Sequence, residues 1–210
     1  MEQSYLVNEM FYSLQGEGQW MGSPMFFIRL SGCNLKCPFC DTQHQKGEEK
    51  TIQEIVETSL LCATNRIVIT GGEPLIYDLR PLIEALREEH YFIHLETNGT
   101  LPHPGPGSLS WITVSPKSAI STMDPFIIEE ADEIKFLCGI PDWREYIENF
   151  IDEFQPEGKL WLMPLAKNIQ EGDRSQGDLI WDNVNEAIDF CKQHPSFSLC
   201  MQMHKILNIK

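Results

Sequence analysis

The strongest constraint on how this chain can fold is a rhythm. Short runs rich in β-branched and aromatic residues recur at 26–30, 67–70, 92–96, 111–115, 133–137, 160–165 and 198–203, with a further run near 5–12. Amphipathic stretches of helical period lie between most of them. Runs that are apolar almost throughout predict strands covered on both faces, as in a parallel sheet. The β-α alternation predicts an α/β fold. Helix starts are written locally. Thr51-Ile52-Gln53-Glu54 is a capping box that opens a helix to about Cys62; its Thr hydroxyl and Glu carboxylate satisfy two orphan backbone donors reciprocally. Asp78 precedes a helix over 79–89, and Asp124-Pro125 sets a cap before a first-turn proline. The stretches 142–154 and 182–192 carry a stripe of period 3.6. After Glu96, TNGTLPHPGPGSLS is too rich in Pro and Gly for a helix, so one crossover is degenerate. Seven or so strands in 210 residues fall short of a closed eight-unit barrel, which typically needs about 250. The expected architecture is one domain over 1–210: an open, partial (β/α) barrel of about six to seven mostly parallel strands with flanking helices. A doubly wound open sheet is the alternative. In either, the site belongs at the carboxyl ends of the strands.

Composition narrows the function classes. The chain carries 31 Asp and Glu against 16 Lys and Arg, a formal charge of −15, with no basic run. A nucleic-acid partner needs a basic face to displace counterions, so none is expected. The longest apolar runs, such as Met25-Phe26-Phe27-Ile28, are far short of a membrane span. MEQSYLVNEM has an early acid and no basic start before an apolar stretch, so it does not read as a secretory signal. Seven unevenly spaced cysteines make a poor disulfide framework and fit a reducing cytoplasm. Four of them, Cys62, Cys138, Cys191 and Cys200, lie singly in apolar patterns and read as small buried hydrophobes.

The other three stand together. Cys33, Cys37 and Cys40 occupy eight residues, CNLKCPFC, directly after the first confident strand. Two readings are open for them. With His44 they would make a Cys3His zinc set. Alternatively they hold three irons of a [4Fe–4S] cube and leave the fourth iron open to a ligand. A second motif, Thr70-Gly71-Gly72-Glu73-Pro74, follows the strand Arg66-Ile67-Val68-Ile69. Paired glycines at a strand end permit close backbone approach, and Glu73 supplies an acceptor beside them. On their own these residues also describe an ordinary tight turn. The lysine and glycine spacing of a phosphate loop are absent.

Together the two motifs resemble the radical S-adenosylmethionine superfamily, whose hallmark is the C-x3-C-x2-C triplet with an aromatic, here Phe39, before the third cysteine. Further stretches resemble the 7-carboxy-7-deazaguanine synthase family over nearly the whole length: FYSLQGEG at 11–18, FIRLSGC at 27–33, CDT at 40–42, ETNG at 96–99, SPK at 115–117 and the ending MQMHKILNIK. The resemblance implies a [4Fe–4S] cluster on Cys33, Cys37 and Cys40, within a loop spanning 32–45, and S-adenosyl-L-methionine as cofactor. It implies cofactor contacts from Phe39, Gly72, Glu73, Ser115, Pro116, Lys117, Met163, Pro164 and Leu165. The substrate implied is 6-carboxy-5,6,7,8-tetrahydropterin, contacted by Leu14, Gln15, Gly16, Glu17, Arg29, Thr70 and His204. A 5′-deoxyadenosyl radical would take the hydrogen at C6, the pterin ring would contract, and ammonia would leave in a step of queuosine biosynthesis. Thr42 would be a Mg2+ ligand, as a hard neutral oxygen suits that ion. A flavodoxin- or ferredoxin-type electron donor and a homodimer are implied partners.

The residue chemistry suits these roles and has plainer readings beside it. Arg29 offers a planar fork for a substrate or a solvated strand-end charge. Glu17 can accept from the several donors of an amino-pyrimidine edge, or decorate a turn built by Gly16 and Gly18. Thr42 is also a capping Thr after Asp41. His204, six residues from the end, contacts substrate or sits on the surface, with the C-terminal strand closing the pocket in the first case. Asp173 to Asp178 reads as a solvated loop. Two other classes compete: a glycyl-radical activase, which would need neither a Mg2+ ligand nor a pterin-reading LQGEG stretch, and a zinc-stabilised interaction module without catalysis.

Overall fold

The computed structural model describes residues 3–105, 107–166 and 179–210. Nine strands make one sheet, in the order β3-β1-β2-β4-β5-β6-β7-β8-β9. They are β1 (Ser4–Leu14), β2 (Pro24–Leu30), β3 (Glu48–Thr51), β4 (Arg66–Gly71), β5 (Phe92–Thr97), β6 (Trp111–Val114), β7 (Glu133–Cys138), β8 (Lys159–Pro164) and β9 (Phe197–Leu199). β1 pairs antiparallel with both β2 and β3. From β2 to β9 every pairing is parallel. β3 and β9 remain as free edges, so the barrel is open. This is the partial barrel expected, with seven parallel strands and an antiparallel pair added at one side. β3 escapes a pattern search because EEKT is a charged edge strand.

Helices α1 (Ile52–Leu60), α2 (Arg80–Glu88), α3 (Pro125–Glu129), α4 (Trp143–Phe154), α5 (Trp181–Gln193) and α6 (Met203–Leu207) complete the fold. Two of the three predicted caps form; the expected Asp78 cap is displaced, because Leu79 is the N-cap of α2 and Asp78 instead accepts from Arg80 N (3.2 Å). Thr51 Oγ1 accepts from Glu54 N while Glu54 Oε2 accepts from Thr51 N. The Asp124 carboxylate accepts from Phe126 N and Ile127 N. The Pro- and Gly-rich connection from β5 to β6 carries no helix among its described residues.

The two faces of the sheet differ. Outward side chains such as Ile28, Ile69, Leu95 and Phe136 pack under the helices against Ile55, Leu82, Ile147, Phe150 and Phe190, all nearly inaccessible. Each such burial is worth roughly 1.5–3 kcal/mol against exposure. The inner face is apolar at the amino-terminal end of the strands, where Met25, Phe27 and Val68 pack with Phe11 and Trp20, and again where Leu137 and Met163 meet Cys200 at the ends of β7 and β8. Between these two patches it is charged. The expectation of strands covered by apolar neighbours on both faces is therefore corrected. β5 and β7 alternate, with His94, Glu96, Glu133 and Lys135 between their outward apolar residues. A second correction concerns the C-terminus. The last strand is only Phe197–Leu199, and Met203–Leu207 is a short helix. The polar run 173–178 lies outside the described residues.

Candidate active site

The loop after β2 carries the three cysteines, none of them in a disulfide; Cys33 and Cys37 are partly buried and Cys40 is exposed. Its position is set by the end of β4. Gly72 N donates to Leu30 O (3.1 Å) and Glu73 N to Gly32 O (2.9 Å). A Cβ on Gly72 would lie 2.0 Å from Gly32 O, so only glycine lets the two loops meet. The paired glycines thus serve backbone-to-backbone packing beside the thiols. The Glu73 side chain is inaccessible. Its carboxylate accepts from Leu75 N (3.0 Å), Thr97 Oγ1 (2.7 Å) and Asn98 N (2.7 Å). Burial pushes its carboxyl above the usual range, against these donors. Three of its roughly four acceptor positions are thus taken by the fold, which gives the carboxylate an ordering role at the loop junction. Asn98 continues the tie: its Nδ2 donates to Asn34 Oδ1 (3.0 Å), between Cys33 and Cys37 in sequence, while Asn34 Nδ2 donates to Thr100 Oγ1 (2.8 Å).

The donor chemistry fits an iron–sulfur cluster. Burial raises the thiols of Cys33 and Cys37, and both feel the charges of their fellow cysteines, while Lys117 draws Cys37 down. Among the described residues, no three His, Cys, Asp or Glu side chains are drawn together around one ion. A single zinc gathers its thiolates at about 2.3 Å each, whereas a cube gives each thiolate its own iron. The Cys33–Cys37–Cys40–His44 zinc set is not assembled, and His44 instead lies against Gly72. Phe39 leaves the loop to pack with Leu137, Met163 and Cys200 at the ends of β7, β8 and β9.

Beside this loop the barrel interior is lined with charge. Lys135, with 4% of its side chain exposed, reaches Glu17 Oε2 at 2.7 Å and Glu96 Oε1 at 3.6 Å. Gln15 Nε2 donates to Glu96 Oε1 (3.0 Å) and Thr70 Oγ1 to Glu96 Oε2 (3.2 Å). Burial opposes the charge on Lys135, but Glu17 and Glu96 outweigh it and hold the ammonium well above its ordinary range. Burial likewise raises Glu96, and Lys135, His94 and Gln15 pull it down to about 2. Deeper in the barrel, Glu133 accepts from Thr113 Oγ1 (2.7 Å), Gln19 N (2.9 Å) and Trp161 Nε1 (2.8 Å). Thr113 spends its one proton on Glu133, so His94 Nε2, 2.6 Å away, is the donor to Thr113. Burial drops the His94 pKa to about 4.

The 15–18 segment is shaped by what lies against it. Gly18 has φ +65, and a Cβ there would sit 2.3 Å from Glu133 Oε1; one on Gly16 would sit 2.2 Å from His204 Nδ1. The C-terminal segment folds over this turn. Met203 N donates to Gly16 O (2.9 Å), Gln202 Nε2 to Glu17 Oε1 (3.0 Å), and Lys205 pairs with Asp41 of the cysteine loop. His204 is thus placed at the site rather than on the open surface. Burial lowers its pKa, against the pull of Glu17.

The remaining expected residues sit at the same end of the barrel. Ser115 accepts from the Lys117 ammonium and donates to Lys135 O (3.0 Å). Burial and Lys135 lower Lys117. Leu14 ends β1, Met163 and Pro164 end β8, and Leu165 N donates to Cys138 O (2.8 Å). Arg29 is half-buried and bound to Glu9 (2.9 Å), so it carries a fixed carboxylate partner. Thr42 Oγ1 lies 3.5 Å from Asp41 Oδ1. Of the single cysteines, Cys138 and Cys200 are buried and Cys62 and Cys191 pack on the core. Missed by pattern reading were Asn34, Asn98, Glu96, Glu133 and Lys135 as parts of this site. The available signal was charge at alternate positions of EIKFLC and FIHLET.

Comparison with known proteins places this geometry. Residues 27–119 match the Radical SAM superfamily. The chain is 36% identical to a 7-carboxy-7-deazaguanine synthase of Bacteroides thetaiotaomicron over 97% of this chain and 98% of the relative. It is 35% identical to one of Synechocystis over 99% and 94%. The crystal structure of QueE from Escherichia coli superposes with a TM-score of 0.78 at 27% identity, covering 96% of this chain and 95% of that one.

Proposed function

The chain belongs to the 7-carboxy-7-deazaguanine synthase family, and from that premise we propose that it converts 6-carboxy-5,6,7,8-tetrahydropterin to 7-carboxy-7-deazaguanine with loss of ammonia. It is a radical S-adenosylmethionine enzyme. The observation that carries the reading is the placing of three cysteines on the loop after β2 beside a barrel mouth lined with buried charge.

Cys33, Cys37 and Cys40 would hold the [4Fe–4S] cluster. When bound, the cluster and S-adenosylmethionine supply the one-electron chemistry that opens the reaction at C6. The residues of this chain bind, orient and shield. Gly72 and the backbone at Glu73, with Ser115-Pro116-Lys117, offer polar groups and one cation to the carboxylate and ribose of the cofactor. Phe39, Met163, Pro164 and Leu165 supply an apolar wall for its adenine. Leu14, Gln15, Gly16 and Glu17 face the substrate, Glu17 accepting from the amino-pyrimidine edge. Arg29, Thr70 and His204 complete the pocket, with Arg29 prepared to pair with the substrate carboxylate through its fork. The C-terminal segment excludes water on the side of Gly16. Thr42 is assigned as a Mg2+ ligand, leaving other positions of the ion to water and substrate. The domain spans 1–210 with a cluster loop at 32–45, works as a cytoplasmic homodimer, and takes electrons from a flavodoxin- or ferredoxin-type donor. No described helix is long and apolar enough to cross a membrane.

Anaerobic incubation with the carboxy-tetrahydropterin, S-adenosylmethionine, a reductant and Mg2+ should give the deazapurine, identified by mass. Absence of that product under those conditions overturns the substrate assignment and leaves the glycyl-radical activase as the reading to test. Thr42→Ala should keep the cluster absorption and lose the stimulation by Mg2+; an unchanged metal response removes Thr42 from the site.

A further inference from the structure

Lys135 is a nearly inaccessible cation at the barrel mouth and belongs to none of the cofactor and substrate contacts proposed above. It rises from the middle of β7, and its ammonium reaches Glu17, on the turn between β1 and β2, and Glu96, at the end of β5 two strands away. One cation therefore ties together three separate elements. A carboxylate offers about four acceptor positions. Glu17 commits one to Lys135 and one to Gln202. Glu96 commits its positions to Gln15, Thr70 and the more distant Lys135. What remains is a small set of acceptors on two adjacent carboxylates, with Glu17 and Glu96 exposing 14% and 23% of their side chains. An amino-pyrimidine edge is a row of donors, and this set is its complement.

We infer that Lys135 is the positioning residue of the substrate site, fixing the Glu17 and Glu96 carboxylates side by side so that both act as acceptors toward the amino-pyrimidine edge. The inference rests on the pterin reading above. Without the cation, two carboxylates are left facing each other in a largely desolvated space, where one of them takes up a proton and becomes a donor. The complement to the substrate is then lost at that oxygen. Other charges face the same group: His94 from β5, Arg29 from β2, Lys117 after β6, Asp41 from the cysteine loop, and Cys200 and His204 from the C-terminal segment. None of the bonds given above joins them to either Glu17 or Glu96. His94 and Lys117 themselves feel Lys135, so Lys135→Arg, which keeps the cation, is the reference against which the Lys135→Met profile is read.

The test is calorimetric titration of the anaerobic holoenzyme with 6-carboxypterin, an oxidised analogue, at several values between about pH 5.5 and about pH 7.5. Lys135→Met should weaken binding at least about thirtyfold at the acid end, as expected for removing one partner of a buried charge group. The loss should shrink as pH rises and the trapped proton leaves. Lys135→Arg should keep the wild-type profile. Glu96→Gln in the Lys135→Met background removes the carboxylate–carboxylate repulsion, so whatever binding remains should no longer vary with pH over this range, which keeps the test sound if the single variant folds poorly. A loss with Lys135→Met that is equal at every pH, or no loss, overturns the inference. Wild-type enzyme that neither binds the pterin nor makes the deazapurine defeats the functional reading instead, and the two failures are distinct.

Discussion

The two faces of β5 and β7 carry opposite tasks. Outward, Ile93, Leu95, Ile134 and Phe136 are sealed beneath helices, and their contribution is apolar burial. Inward, on the alternate residues of the same strands, His94, Glu96, Glu133 and Lys135 form bonded strings with little exposure. A strand has a period of two, so one stretch of backbone serves both tasks without compromise. The difference teaches where each kind of substitution should act. Outer changes act on folding. Inner changes and those on the cysteine loop act on chemistry and pH response, because the polar groups there are already paired within a rigid wall.

The sharpest break between the two regions is expected on the loop. Cys37→Ala should abolish turnover and the visible cluster absorption, and it should leave the thermal midpoint of the metal-free chain nearly unchanged. A large drop in that midpoint would mean that the loop also holds the fold. On the outer face, Leu95→Ala should cost about 2–5 kcal/mol in denaturant titrations. Turnover per folded molecule should persist, and its loss would erase the division of labour between the faces.

His94 sharpens the comparison through pH. Its pKa is about 4 when folded, against an ordinary value of 6.5. Between those values the unfolded chain binds the extra proton and the native chain does not, so stability is full above the higher value and falls as pH drops toward the lower. The total amounts to about 3 kcal/mol. His94→Gln should flatten that limb of a stability–pH curve, and an unchanged slope would show that His94 is not the group responsible. The smallest effect belongs to an exposed outer cap. Asp124→Ala should cost about 1 kcal/mol by removing the acceptor for Phe126 N and Ile127 N, with turnover untouched.

Much of this division was legible in the residues. The parallel strands were readable because their outward positions are apolar in every one, and the helix starts because Thr51, Glu54 and Asp124 act on backbone within three residues. The cysteine loop and Thr70-Gly71-Gly72-Glu73 were legible as local motifs. The inner face was not, because a lysine at 135 and a glutamate at 96 show their meaning only when β5, β7 and the 15–18 turn converge. β3 was hidden by its charge. The C-terminal helix was hidden because MQMHKILNIK suits either a strand or a helix, and its docking on Gly16 and Asp41 is a long-range matter. The same holds for Glu73. Its acidity beside two glycines suggested a ligand contact, and only the fold reveals that Thr97 and Asn98 also donate to it.

All of the proposed chemistry depends on what the three thiols hold. Anaerobically prepared protein should be brown and contain about four iron and four sulfide per chain, one thiolate on each of three irons. Colourless protein carrying one zinc per chain on Cys33, Cys37 and Cys40 would contradict the account.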